Sequence, residues 1–143
     1  MRGSAVTPDV VKGLLAALGD KEYSVRNHAI EALAKMRGSA VTPDVVKGLL
    51  AALGDKEYSV RNHAIETLGK MDGSAVAFDM IHGLLVALGD EDPVVRYNAV
   101  QALAKMRGSA VTPDVINGLL ATLDDESKDV RLRFWFHVLC CSS

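Results

Sequence analysis

The chain is 143 residues long, 49% apolar and only 5% aromatic, with 16 basic and 18 acidic residues for a formal net charge of -2. That length and apolar content suffice to bury a core, and the balanced charge gives no field to gather nucleic-acid phosphates or an anionic membrane surface. No window reaches the roughly 18 apolar residues of a spanning helix, Met1-Arg2-Gly3-Ser4-Ala5 lacks an apolar stretch of signal-peptide length, and the adjacent Cys140 and Cys141 make no disulfide framework. The expectation is a soluble, cytoplasmic protein with neither nucleic acid nor membrane as partner.

The string Val-Thr-Pro-Asp-Val begins at Val6, Val41 and Val111, and a degraded copy, Val-Ala-Phe-Asp-Met, begins at Val76, so the register advances by 35 residues each time. One repeat domain over residues 1–143 is expected, with units 6–40, 41–75, 76–110 and 111–143. Units one and two differ only where Ala32, Ala34 and Arg37 become Thr67, Gly69 and Asp72. Separate folding constraints do not enforce such closeness; recent duplication or consensus construction does. A period of this size accommodates two short helices and two turns.

In unit one, Thr7 is placed to cap a helix, Pro8 fits its first position without losing a bond, and Asp9 complements the dipole. Val10, Val11, Leu14, Leu15 and Leu18 then recur at three- and four-residue intervals as one apolar stripe, until Gly19-Asp20 ends the helix. A second helix begins near Glu22 or Tyr23 and carries Val25, Ala29, Ile30, Leu33 and Met36 until Gly38. In unit three the start is clearer, because Asp92 precedes a first-turn Pro93. Each unit thus reads as one αα-hairpin. Gly13, Gly48, Gly83 and Gly118 fall inside the first helices, where each costs about 1 kcal/mol relative to Ala, so close helix packing is expected there. Unit four departs from the pattern: Leu132-Arg133-Phe134-Trp135-Phe136-His137-Val138 stands where unit one has Asn27-His28-Ala29-Ile30-Glu31-Ala32-Leu33. One amphipathic face cannot hide Phe134, Trp135, Phe136 and Leu139 together. A hydrophobic cap, an assembly surface and a read-through at a truncated end are the three readings. Terminal repeats need a polar outer face for solubility, so a homo-oligomer through the C-terminal end is the expectation.

Residues 18–33, Leu-Gly-Asp-Lys-Glu-Tyr-Ser-Val-Arg-Asn-His-Ala-Ile-Glu-Ala-Leu, and residues 88–96, Leu-Gly-Asp-Glu-Asp-Pro-Val-Val-Arg, resemble HEAT-like repeats. The resemblance covers nearly the whole chain and implies an all-α fold: a right-handed α-solenoid, the alpha-alpha superhelix of ARM/HEAT-like proteins, made of four helical hairpins. Its most specific marks are an Asp in the turn between helices (Asp20, Asp55, Asp90, Asp125) and an Arg six residues on (Arg26, Arg61, Arg96, Arg131). The resemblance implies that these side chains form a structural ladder linking successive turns.

Catalysis needs different residue types converging on a point, whereas a repeat sets the same types along a ridge. His28 and His63 are equivalent residues of neighbouring second helices, and axes about 8–10 Å apart separate them too far for two nitrogens to reach within about 2 Å of one zinc ion. No catalytic residue, metal or cofactor is expected. The informative surface is polar. Tyr23, Asn27, Glu31 and Lys35 are spaced by four on one face, with Tyr58, Asn62, Glu66 and Lys70 in unit two and Tyr97, Gln101 and Lys105 in unit three. The resemblance places second helices on the concave side, so these residues, with His28 and His63, form a candidate groove for another protein; a solvated face of i,i+4 ion pairs is the alternative. The leading expectation is a non-enzymatic protein-interaction module. An engineered or consensus scaffold, and a HEAT-like lyase subunit or other enzyme-associated repeat protein, are the alternatives.

Overall fold

The computed structural model describes residues 7–36, 42–71, 77–105 and 112–133, and no strand occurs among them. The helices are α1 (Pro8–Ala17), α2 (Tyr23–Ala34), α3 (Pro43–Ala52), α4 (Tyr58–Lys70), α5 (Ala77–Ala87), α6 (Pro93–Ala104) and α7 (Pro113–Ala121). A 3-10 turn at Thr122–Asp124 follows α7, and residues 128–133 are again helical. The fold is all-α, a HEAT/ARM-like helical repeat. The chain divides into two compact units, Met1–Val76 and Ala77–Ser143, each holding two hairpins. The aromatic segment read as an assembly surface, Phe134, Trp135, Phe136 and Leu139, lies outside the described residues.

Capping explains where the helices start. Thr7, Thr42 and Thr112 have extended backbone, and each side-chain oxygen accepts the N–H of the residue three further on, Val10, Val45 or Val115. The proline that follows gives up an N–H that has no helical partner at that position. Asp92 caps α6 by accepting from the Val94 N–H at 2.8 Å. The second helix of unit one is shorter than its apolar pattern: α2 stops at Ala34, and the Lys35 and Met36 N–H groups turn to Ala32 O and Leu33 O in a tighter, i to i−3 turn. In unit four, the place held by Ala17, Ala52 and Ala87 belongs to Thr122, whose hydroxyl donates to Leu119 O at 2.6 Å.

The first compact unit contains a comparison made by the sequence itself. Helices α1 and α3 have the same ten residues, PDVVKGLLAA. In α3, Val45, Val46, Leu49 and Ala52 are buried; in α1 no residue is, and Val10 is 42% exposed where Val45 is 1%. The second helices repeat the contrast, with Val25 38% exposed and Val60 1%. Composition and amphipathicity being equal, the difference is what lies upstream: α3 and α4 pack behind α1 and α2. Glycine marks the seam. A Cβ on Gly48 would come within 2.9 Å of Leu15 Cδ2 and 3.0 Å of Leu18 Cδ1, and one on Gly118, in the second unit, within 2.8 Å of Leu85 Cδ2 and 3.1 Å of Leu88 Cδ1. Close packing therefore accounts for these two glycines. It does not account for Gly13, beside which nothing lies within 4 Å.

In the second unit the buried residues include Met80, Ile81 and Leu84 of α5, Val95, Val100 and Leu103 of α6, Val115 of α7, and Val130. Burial rather than residue type should set the effect of truncation. Leu49→Ala, at a side chain with 0% exposure, is expected to cost about 2–5 kcal/mol, and Leu14→Ala, the same residue one repeat earlier and half-buried, less than half as much. Urea unfolding of both variants measures the pair.

Candidate functional site

The turns inside the hairpins carry the densest polar chemistry. In each, an aspartate oxygen accepts the N–H two residues on: Asp20 from Glu22, Asp55 from Glu57, Asp90 from Asp92 and Asp125 from Ser127, at 2.8 to 2.9 Å. This Asx turn orders the entry to the second helix. The arginine six residues on then folds back. Arg26 Nη1 donates to Asp20 O at 2.8 Å and Lys21 O at 3.1 Å, while its Nε and Nη2 reach across to Asp55 Oδ2 and Oδ1 at 2.7 and 2.8 Å. Arg96 repeats the arrangement on Asp90 O, Glu91 O and the Asp125 carboxylate. Arg61 Nη1 donates to Asp55 O at 2.8 Å, and Arg131 Nη1 to Asp125 O. Arg26, Arg61 and Arg96 are each buried.

A bidentate guanidinium–carboxylate pair fixes both distance and orientation. Burial pushes the Asp55 and Asp125 carboxyls up, but the hydrogen bonds from Arg26 or Arg96 and from a backbone N–H, with the nearby positive charges, together outweigh it and hold both below the ordinary 3.8. The hydrogen bond to the carboxylate raises each of Arg26 and Arg96 against the opposing effect of burial, so both stay charged at any working pH.

The polar face of the first unit lies on α2 and α4. Tyr23 and Tyr58 begin the two helices and are 52% and 54% exposed. One turn on, Asn27 bridges the helices: its Nδ2 donates to Ser59 Oγ at 3.1 Å, and its Oδ1 lies 2.9 Å from His63 Nδ1. A carboxamide oxygen only accepts, so His63 carries its proton on Nδ1. His28 Nδ1 is 2.7 Å from Ser24 O, which fixes the same tautomer. The two histidines therefore answer to different partners, one on its own helix and one on the neighbouring helix. Further along, Glu31, Lys35, His63, Glu66, Thr67 and Lys70 line an open groove of about 530 Å³, and Asn62 Nδ2 reaches Glu66 Oε1 at 3.4 Å.

The second unit differs. Tyr97 and Gln101 are half-buried and Lys105 is exposed, and the Arg133 guanidinium lies over the Tyr97 ring, 4.9 Å from its centroid. Pro93, Val94, Tyr97, Ser127 and Asp129 surround a smaller cleft of about 380 Å³. Among the described residues no three His, Cys, Asp or Glu side chains come together as metal ligands, and no helix is long and apolar enough to cross a membrane. The Asn27–His63 bridge is the feature that the sequence pattern did not disclose. Its only signal is the Asn-His dipeptide at 27–28 and again at 62–63.

The depressed aspartates give stability a definite pH dependence. Because the folded carboxyls titrate below 3.8, the unfolded chain takes up protons first on acidification. Their contribution is present in full above that value and is lost as pH falls through the folded values. The double variant Asp55→Asn, Asp125→Asn keeps the Asx-turn acceptors and removes the charges. It should be less stable than the parent at neutral pH and lose less stability between about pH 5 and pH 3, as read from urea midpoints across that range.

A family model for HEAT repeats matches residues 46–134, more than half of the chain. No curated protein sequence matches it. Among solved structures, the chain is similar to one in the CpcE–CpcF complex of phycocyanin lyase from Nostoc sp. PCC7120, with a TM-score of 0.73 and 22% identity over 91% of this chain and 85% of that one. It is also similar to YibA of Escherichia coli, with a TM-score of 0.78 and 21% identity over 95% of this chain and 49% of that one. A third similar structure is an engineered protein, at 0.68 and 19% over 92% and 62%. The capped hairpins, the arginine–aspartate rungs between turns and the family match agree: the chain belongs to the HEAT-repeat proteins.

Proposed function

We propose that the chain is a non-enzymatic protein-interaction module that takes a segment of another protein on the α2/α4 face. The observation that carries this reading is the pair Tyr23 and Tyr58, aromatic rings left half in solvent at equivalent places at the starts of two adjacent helices whose later turns line a groove walled by glutamates and lysines. Exposed tyrosine flanked by charge is the composition of a recognition surface. The spacing also fits a partner. Packed helices lie about 8–10 Å apart, and an extended peptide advances about 3.3 Å per residue, so every third residue of an extended segment would meet the same set of side chains. The phycocyanin-lyase chain to whose fold this chain is similar is seen in a complex of two proteins, CpcE and CpcF, which favours a protein as the partner here.

A second reading, a consensus scaffold without a natural ligand, draws on the near identity of units 6–40 and 41–75 and on the likeness to an engineered protein. Selection from a random peptide library displayed on phage, with the full chain as bait, separates the two. The interaction module should enrich peptides that bind at least tenfold more weakly to a Tyr23→Ala, Tyr58→Ala variant of unchanged thermal midpoint. Failure to enrich any family of peptides, or enrichment indifferent to both tyrosines, would count against the α2/α4 face and favour the scaffold.

A further inference from the structure

The groove between α2 and α4 is walled by charges in a definite order. Glu31, Lys35, Glu66 and Lys70 are all exposed, over a floor that includes the buried Ile30 and Thr67. Polar groups at the floor are already engaged: the Thr67 hydroxyl donates to His63 O at 2.8 Å, and His63 Nδ1 donates to Asn27 Oδ1 at 2.9 Å. The wall charges remain available. Each glutamate stands one turn before a lysine of its own helix, at the i,i+4 spacing that permits a pair, yet the ion pairs among the described residues are made by arginines. Of the four, Glu66 accepts one long hydrogen bond, 3.4 Å from Asn62 Nδ2.

Glu31 and Glu66 are equivalent residues one repeat apart, and so are Lys35 and Lys70. Four residues of α-helix rise about 6 Å, and packed neighbouring helices lie about 8–10 Å apart. The groove therefore presents two rows that cross both helices, carboxylates in one and ammonium groups in the other. A segment of a single charge would lose on one row what it gained on the other; a segment with acid toward the lysines and base toward the glutamates gains on both. The spacing along the rows selects a backbone. A pleated strand turns successive side chains to opposite sides, so those facing one row recur after about 6.6 Å and fall out of step with the helices. A polyproline II segment has three residues per turn and rises about 3.1 Å per residue, so the same direction recurs after about 9 Å, in step with them.

We propose that the α2/α4 groove takes a polyproline II segment of another protein that carries one acidic and one basic residue in every three, the acidic side chains on Lys35 and Lys70 and the basic ones on Glu31 and Glu66. This inference rests on the reading of that face as a protein-binding surface, and it adds the chemistry that would be recognised there. The third residue of each turn faces neither row and is free to be proline, which sets the conformation before binding and lowers the cost of ordering the segment.

The test is a fluorescence-anisotropy titration of the full chain, at neutral pH, with a labelled peptide of repeated Glu-Lys-Pro units and with a shuffled peptide of the same composition that lacks the three-residue period. The parent should bind the periodic peptide at least tenfold more tightly than the shuffled one. Lys35→Glu with Lys70→Glu makes both rows acidic and should weaken that binding at least tenfold. Adding Glu31→Lys and Glu66→Lys exchanges the rows at the parent's net charge. The peptide then fits after a half-turn that reverses its direction, and binding should return to within about fivefold of the parent. All four positions are exposed, so each variant should keep the parent's helical content by circular dichroism. Equal binding of the two peptides, undetectable binding included, or no recovery on exchanging the rows, overturns the proposal. Its failure is separable from that of the underlying reading: library peptides that need Tyr23 and Tyr58 but are indifferent to Lys35→Glu with Lys70→Glu would remove the charge rows and leave the face a protein site.

Discussion

A guanidinium shared between two turns is the interaction on which the arrangement of neighbouring hairpins depends. Arg26 satisfies the carbonyls of Asp20 and Lys21 in its own turn and the carboxylate of Asp55 in the next. Turn carbonyls beside a buried side chain would otherwise lack donors, at a cost of about 1–3 kcal/mol each. The aspartate has two tasks as well, since its Oδ1 orders the start of its own second helix while the carboxylate receives the arginine from upstream. One residue pair therefore sets both the shape of a turn and its distance from the neighbour. A partly buried pair of charges is a poor source of net stability; what it supplies is register, and the apolar seam of leucine against glycine supplies the area.

Translation of one unit by 35 residues makes position matter more than identity. The segment PDVVKGLLAA is a core helix at 43–52 and a surface helix at 8–17. The same logic separates the polar faces. Tyr23 and Tyr58 are open to solvent, whereas Tyr97, one turn further into its helix, lies under Arg133. Where the units diverge, as at Thr122 and Arg133, the structure also diverges: the Thr122 hydroxyl takes up Leu119 O and the Arg133 guanidinium covers the Tyr97 ring.

The helical hairpins were legible because independent local signals coincided: a Thr-Pro-Asp start, a three- and four-residue apolar period, and a Gly-Asp stop. The end of α2 at Ala34 was not, since its apolar pattern runs on to Met36 while the backbone has already tightened. Nor does an amphipathic pattern distinguish Val10 from Val45, because it records which side of a helix is apolar and not whether a neighbour covers it. The Asp and Arg positions were readable as a repeating pair, and their meaning came from a family resemblance. The diagonal bridge from Asn27 to His63 escaped because equivalent residues were compared with each other, whereas adjacent hairpins bring together residues one position out of register.

If the arginine–aspartate rung keys one turn to the next, its two members must act on stability as a unit. A double-mutant cycle on Arg96 and Asp125, whose side chains are 8% and 10% exposed, with Arg96→Gln and Asp125→Asn taken singly and together, measures that coupling by urea unfolding. Allowing for the screening that reduces exposed pairs to a few tenths, the account predicts a coupling of about 1 kcal/mol or more. Effects of the two substitutions that simply add would contradict it, and would leave the spacing of neighbouring hairpins to their apolar packing, the leucine–glycine seam included.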